Sequence, residues 1–334
     1  MKNSTYYYMI LAVAPVLLIG VIVLSVFYGA KTISPEMVVS AFLDFNPANV
    51  DHQIIMSSRL PRALGALLIG GALAVSGALM QGVTRNYLAS PGLMGISDGS
   101  ALAVTVSMLM LPDATLTERM LYSFGGSGLG AGLVFGFGAV VPRGLSPVRL
   151  AILGAVVGTF LSSMAAVLAL YFQISQDISF WYNARLHQIN AGHLHLAGGM
   201  ILGGMAAAWW LARSVTVLAL GEEVAVSLGQ RTGRVKVAVA AVVMLLTGAA
   251  VALAGKIVFV GLIIPHIARY LVGVDYKWVI PCSGVLGAVF LALADVGSRF
   301  LNYPFETPVG VITSLIGVPF FLYLARTRGG NKNG

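Results

Sequence analysis

The chain has 334 residues, 58% of them hydrophobic and only 10% charged, against about 25% charged in an average soluble domain; this excludes an ordinary soluble globule and describes a polytopic membrane protein. A single cysteine, Cys282, excludes an internal disulfide framework and any multi-cysteine metal site. The formal charge of +8 would suggest nucleic acid in a soluble protein, but here Lys and Arg punctuate apolar runs and read as topology signals, so no nucleic-acid partner is expected.

Taken in order, residues 9–28 form a first apolar run long enough to span a bilayer. Gly29-Ala30-Lys31 is a poor cleavage site, so the run reads as a retained span. Residues 31–62, with Pro35, Pro47 and Pro61, read as an external loop that ends in Arg59-Leu60-Pro61-Arg62. Further spans are expected at 63–83, 92–111, 119–141 and 147–172, followed by a polar, aromatic stretch over 173–192 that suits a short surface helix. Spans over 193–213, 235–255, 256–273, 278–298 and 306–325 complete ten. The expectation is a single all-α transmembrane domain over 1–334. Its glycines four apart, Gly126/Gly130, Gly154/Gly158 and Gly199/Gly203, suit close helix contacts in lipid.

The longest polar interval, 214–234, separates the sixth and seventh spans. Within it Val224, Ala225 and Leu228 fall at helical spacing between Gly221 and Gly229, which predicts a short amphipathic helix. A solvated linker and a helix held in a partner's groove fit this pattern equally. With ten spans both termini share a side. Lys2, Arg85, Arg143, Arg149, Arg213, Arg231, Arg234, Lys236, Arg269, Lys277, Arg326, Arg328 and Lys332 lie on it, thirteen of the 20 basic residues, so both termini are expected to be cytoplasmic.

No cluster of His, Asp or Glu at catalytic or metal spacing appears, and neither an enzyme nor a cofactor is expected: His193 and His195 are two apart, and His52, His187 and His266 stand alone. An ion-coupled secondary transporter would use carboxylates inside its spans, and Asp98 and Asp295 are its only support. For ATP-driven transport the nearest string to a phosphate loop, Ala250–Ile257, fails at its first and last positions, so another chain would have to bind ATP.

Several blocks then carry a resemblance. Arg59-Leu60-Pro61-Arg62, GALAVSGALMQGVTRNYLASPGLMGISDG at 71–99, LGEEVAVSLG at 220–229, GKIVFVGLIIPHIARYLVGVD at 255–275, Ala294-Asp295 with Arg299, and Glu306-Thr307-Pro308-Val309-Gly310 with Gly317-Val318-Pro319-Phe320-Phe321 stand in order over nearly the whole chain. Together they resemble the permease family of bacterial ABC importers for vitamin B12, haem and ferric siderophores, the FecCD family. Tyr87 stands where that family usually has proline, and Asp98 where Ser or Asn is common.

The resemblance implies the type II ABC importer permease fold in the plasma membrane, with ten helices per subunit. It also implies a second permease subunit, identical or paralogous, two cytoplasmic ATPases and an external binding protein. By the same resemblance, Leu220, Gly221, Glu222, Glu223, Ala225, Leu228 and Gly229 couple to the ATPase. Arg59, Arg62 and Arg299 dock acidic residues of the binding protein, although membrane-anchoring arginines would read alike. Ser146, Pro147 and Val148 lie where the family narrows its cytoplasmic gate, and Pro265-His266 is expected to break the eighth span and shape the pathway. Asp295, one turn before Arg299, would orient its guanidinium. The chain looks most like a permease for ferric siderophores; cobalamin or haem is the alternative cargo, and an ion-coupled transporter the alternative class.

Overall fold

A computed structural model describes residues 2–29, 31–140, 147–182, 186–302 and 305–329. They form fourteen α-helices: α1 (Lys2–Phe27), α2 (Pro35–Leu43), α3 (Val50–Gln53), α4 (Leu60–Thr84), α5 (Ile96–Met110), α6 (Leu116–Val140), α7 (Pro147–Tyr171), α8 (Ser175–Tyr182), α9 (Ala191–Leu220), α10 (Glu222–Ser227), α11 (Thr232–Ala254), α12 (Val260–Val272), α13 (Tyr276–Ser298) and α14 (Val309–Gly329). Among the described residues there is no β-strand, only a single bridge between Asn302 and Phe305.

Seven helices are long and apolar enough to cross a membrane, within Tyr6–Phe27, Val50–Thr84, Leu116–Val140, Arg149–Tyr171, Ala191–Leu220, Thr232–Ala254 and Tyr276–Ser298. Three shorter apolar helices, Ile96–Met110, Val260–Val272 and Val309–Leu324, accompany them. At 1.5 Å per residue α5 and α12 measure only ~20 Å, less than the ~30 Å of a hydrocarbon core. Each is entered through non-helical backbone, residues 85–95 for α5 apart from a short turn at Pro91–Met94, and residues 255–259 for α12. Non-helical backbone at membrane depth is tolerated where protein covers it or it lines a cavity.

α4 is the hub, buried along most of its length and packed on α9, α11, α12 and α13. Backbone touches backbone there: a Cβ at Gly70 would strike the Gly287 carbonyl, and one at Gly77 the Gly261 carbonyl. The same close approach joins α5 to α6, where Gly126 and Gly130 lie against Gly99 and Gly95. Gly158 faces Asp98, whereas Gly199 and Gly203 have open space beside them and make no such contact.

Two expected boundaries move. Residues 214–220 belong to α9, a 30-residue helix about 45 Å long that overshoots the hydrocarbon, so the polar connection shrinks to 221–231. The eighth apolar helix starts at Val260 rather than Lys256, and it runs unbroken through Pro265.

Candidate functional site

On the face where α4 begins and α13 ends, the three arginines expected to point outward are buried: Arg59 is 5% exposed, Arg62 7% and Arg299 5%. Arg59 donates to the carbonyls of Val26, at 2.7 Å, Phe27, at 3.0 Å, and Lys31. Arg299 donates to those of Ser25, at 2.7 Å, and Tyr28, at 2.5 Å. The last carbonyls of α1 have no helical partner and carry the negative end of its dipole, so the two guanidinium groups cap that helix. Gly29 leaves them room, since a Cβ there would lie 2.8 Å from Arg59 Nη2.

Arg62 instead joins two carboxylates. Its Nη2 lies 2.9 Å from Asp295 Oδ1, and its Nη1 lies 2.8 Å from Glu306 Oε1. Asp295, 1% exposed, also pairs with Arg299 at 2.5 Å, one helical turn on, as the spacing predicts. Arg62, Asp295, Arg299 and Glu306 thus make a neutral cluster. Only Glu306, with a third of its side chain exposed, reaches solvent substantially. It opens onto a polar mouth of about 780 Å³ that Arg62, Arg119, Asp177, His187 and Glu306 also line. Arg185, considered for that mouth, lies outside the described residues. Sequence reasoning found the arginines and missed Glu306 as their counter-ion, since nothing local pairs residues 244 positions apart.

Deeper in, Gln81 of α4 holds α12 at its proline. Pro265 has no N–H, which leaves the Gly261 carbonyl without its helical donor. Gln81 Nε2 donates to that carbonyl and to that of Leu262, each at 3.3 Å, while its Oε1 accepts from Arg269 Nη2 at 2.6 Å. The Arg269 guanidinium also lies over the Tyr87 ring, 4.5 Å from its centroid. This support lets α12 pass Pro265 intact, and His266 packs edge-on against Phe320 of α14 at 5.7 Å. Of the expected gate residues, Ser146 lies outside the described residues, and Pro147 and Val148 open α7.

A second cavity, about 940 Å³, is bounded by α5, α7, α14 and the non-helical segment before α12. Asp98 and Lys256 meet in its wall, 3.5 Å apart. Lys256, expected to open the eighth span on the side opposite the termini, stands in the non-helical segment before α12 and lines this cavity.

Between α9 and α11, α10 is bounded by Gly221 at φ 141 and Gly229 at φ 78. The N–H of Gly229 meets Val226 O at 2.9 Å and that of Gln230 meets Ala225 O at 2.9 Å, a Schellman stop that requires a left-handed residue at Gly229. Ala225 is fully buried against the chain, so it is not part of an outward face. Val224 and Leu228, four apart, are exposed at 42% and 66%; Leu220, the last residue of α9, is exposed at 64%, and Val226 at 58%. Glu222 accepts from Lys236 Nζ at 2.7 Å and from the Thr232 hydroxyl at 3.2 Å. These bonds, with the Arg85 charge nearby, hold its carboxyl below the usual carboxylate range.

Apolar helices, glycine-mediated contacts and buried paired charges define a multi-pass membrane protein. The chain belongs to the FecCD transport family, whose profile matches residues 17–327. It is 54% identical over 334 residues to the iron-uptake system permease protein FeuB of Bacillus subtilis, covering all of both chains. It is 50% identical over 305 residues to the iron(3+)-hydroxamate import system permease protein FhuB of the same organism, covering 91% of this chain and 79% of FhuB. Among solved structures, an inward-facing conformation of a metal-chelate type ABC transporter matches with a TM-score of 0.83 at 27% identity, over 96% of this chain and 99% of that one. The protein is therefore an ABC importer permease, a transport subunit rather than an enzyme, of a kind that works with ATPase and substrate-binding partners.

Proposed function

We propose that this chain is the permease subunit that carries iron(III)–siderophore complexes across a bacterial plasma membrane, driven by a separate cytoplasmic ATPase. The observation that carries the cargo assignment is the full-length 54% identity to a permease named for iron uptake, beside 50% identity to one named for iron(3+)-hydroxamate import. We take the three shorter apolar helices as crossings too, giving ten, with both termini cytoplasmic and a second permease subunit facing the cavity of α5, α7 and α14. In this reading each of two ATPases docks on the α10 of one permease subunit, here through Leu220, Val224 and Leu228. Gly221, Glu222, Glu223 and Gly229 fix its orientation, and Ala225 anchors it to the chain. The long α9 then acts as a stiff arm between that helix and the membrane. The cytoplasmic gate is assigned to Ser146, Pro147 and Val148, with Pro265 and His266 shaping the wall behind it.

The binding protein is assigned to the face above Arg59, Arg62 and Arg299. Because Asp295 and Glu306 already hold Arg62, a carboxylate of the binding protein engages it only by competing with Glu306, its exposed partner. Of the two carboxylates that would serve an ion-coupled transporter, Asp295 is committed to two arginines, and Asp98 faces Lys256 across a looser contact of 3.5 Å. That favours ATP as the energy source.

The test is uptake of iron-55 chelates by proteoliposomes holding the permease, its ATPase and its binding protein. Uptake should require ATP and survive collapse of the proton gradient, and the permease alone should bind no ATP. Uptake that dies with the gradient while ATP is maintained, and is lost in Asp98→Asn, would overturn the reading.

A further inference from the structure

The cavity bounded by α5, α7 and α14 is lined almost wholly by alanine, valine, leucine, glycine, proline and serine. Among the described lining residues only Asp98 and Lys256 carry charge. Lys256 stands on the non-helical segment between Gly255, at φ 75, and Phe259, at φ 69. That segment is locked in place because Phe259 fills the space beside Gly317 of α14. The backbone thus fixes the root of Lys256 while its side chain, 48% exposed, reaches along the cavity wall. Asp98, in the first turn of α5 and 18% exposed, meets the ammonium from the other side at 3.5 Å. Room for that carboxylate is made by Gly158 of α7, where a Cβ would lie 2.6 Å from Oδ2.

A contact of 3.5 Å between partly exposed groups is loose; such pairs contribute about 0–1 kcal/mol, so exchanging one carboxylate for another anion costs little. A lone ammonium on an apolar wall would be poorly solvated, and Asp98 offsets that while the cavity holds no ligand. A ligand that brings its own negative oxygens keeps the ammonium paired, at the cost of releasing the partly exposed Asp98 carboxylate. A neutral ligand of equal size gains nothing there.

We propose that Lys256 is the contact through which the pathway engages an anionic ferric chelate, with Asp98 as the counter-charge it exchanges for the ligand. The assignment rests on the siderophore reading above and narrows it to chelates with excess negative charge, such as ferric triscatecholates, over neutral ferric trihydroxamates.

The experiment is equilibrium dialysis of iron-55 ferric triscatecholate and ferric trihydroxamate against the purified permease–ATPase complex without binding protein, so that the binding protein's own selectivity does not enter. Wild type should bind the triscatecholate about tenfold tighter at low salt, with the margin shrinking as salt screens the charge. Lys256→Gln should erase that margin and leave the trihydroxamate unchanged, Lys256→Arg should keep it, and Asp98→Asn should widen it. Should Lys256→Gln lower the melting midpoint, the opposed effects of Lys256→Arg and Asp98→Asn still decide. Equal affinities in wild type, no binding of either chelate, equal losses of both chelates in Lys256→Gln, or no effect of Asp98→Asn would overturn the proposal. Uptake of iron-55 chelate by the full complex in the same preparations reports on the siderophore reading separately. If uptake proceeds while dialysis shows no charge preference, only the Lys256 assignment falls; if no chelate is taken up, the siderophore reading falls with it.

Discussion

Gln81 of α4 donates its side-chain amide to the carbonyl of Gly261, 3.3 Å away and 180 residues later in the chain, the carbonyl that Pro265 cannot serve. The same amide supplies the oxygen that Arg269 uses at 2.6 Å, so one side chain supports both the first and the last turn of α12. Gln81→Leu removes both and leaves a buried guanidinium short of a partner, at a cost of about 3 kcal/mol. The melting midpoint in detergent should fall by several degrees. Pro265→Ala gives Gly261 a backbone donor of its own, so the double variant should be less destabilised than the two single losses added, by about 0.5–1 kcal/mol. Additive losses would show that Gln81 does not compensate for the proline.

The Arg62–Asp295–Arg299–Glu306 cluster predicts that Arg62 cannot be reversed harmlessly. Arg62→Glu would leave Asp295 and Glu306 facing a third carboxylate, and breaking a buried pair costs about 3–5 kcal/mol. Abundance and melting midpoint should both fall. A cleaner probe of docking is Glu306→Gln, which frees Arg62 Nη1 while leaving Asp295 in place. If the binding protein's carboxylates compete for that guanidinium, its affinity for the transporter should rise at low salt. An unchanged or weaker affinity at normal abundance would remove Arg62 from the docking assignment.

Along α10, if it couples to the ATPase, the exposed and buried residues should behave differently. Leu228→Asp, on the outward face, should abolish ATP-dependent uptake and ATPase co-purification with membrane insertion intact, because charge is forced into an apolar contact. Ala225→Asp, at a fully buried position, should lower abundance instead. Normal uptake and co-purification in Leu228→Asp would exclude this face.

Glu222 sets a pH dependence. Its carboxyl is held below the usual range by Lys236, so the pair's stabilisation is present above the unfolded carboxylate pKa, about 4.3, and is lost as pH falls through the lower folded value. With nearly half of that side chain exposed, the pair contributes at most about 1 kcal/mol. Glu222→Gln should lower the melting midpoint slightly at pH 7, and the gap to wild type should close below about pH 4. A gap that persists unchanged in acid would assign the effect to packing.

Local pattern carried a good deal of this. Hydropathy reports how each stretch partitions between water and lipid, so the membrane class, the all-helical content and most apolar runs follow from it. The glycine-bounded helix at 221–229 was legible because a left-handed stop is a local requirement, and the Asp295–Arg299 pair because helical periodicity puts four-apart side chains together. Where runs end was less legible: hydropathy does not register that α9 continues to Leu220, or that 255–259 is non-helical.

What tertiary structure alone decided is who partners whom. Arg62 and Asp295 are 233 residues apart and Lys256 and Asp98 158, distances over which no sequence period operates. Burial of Arg59 and Arg299 depends on where α1 ends in space, because its free carbonyls rather than solvent receive the two guanidinium groups. Composition placed these charges in a membrane protein. The backbone approach allowed by Gly70 and Gly77 of α4 set the helices close enough for each charge to find its partner.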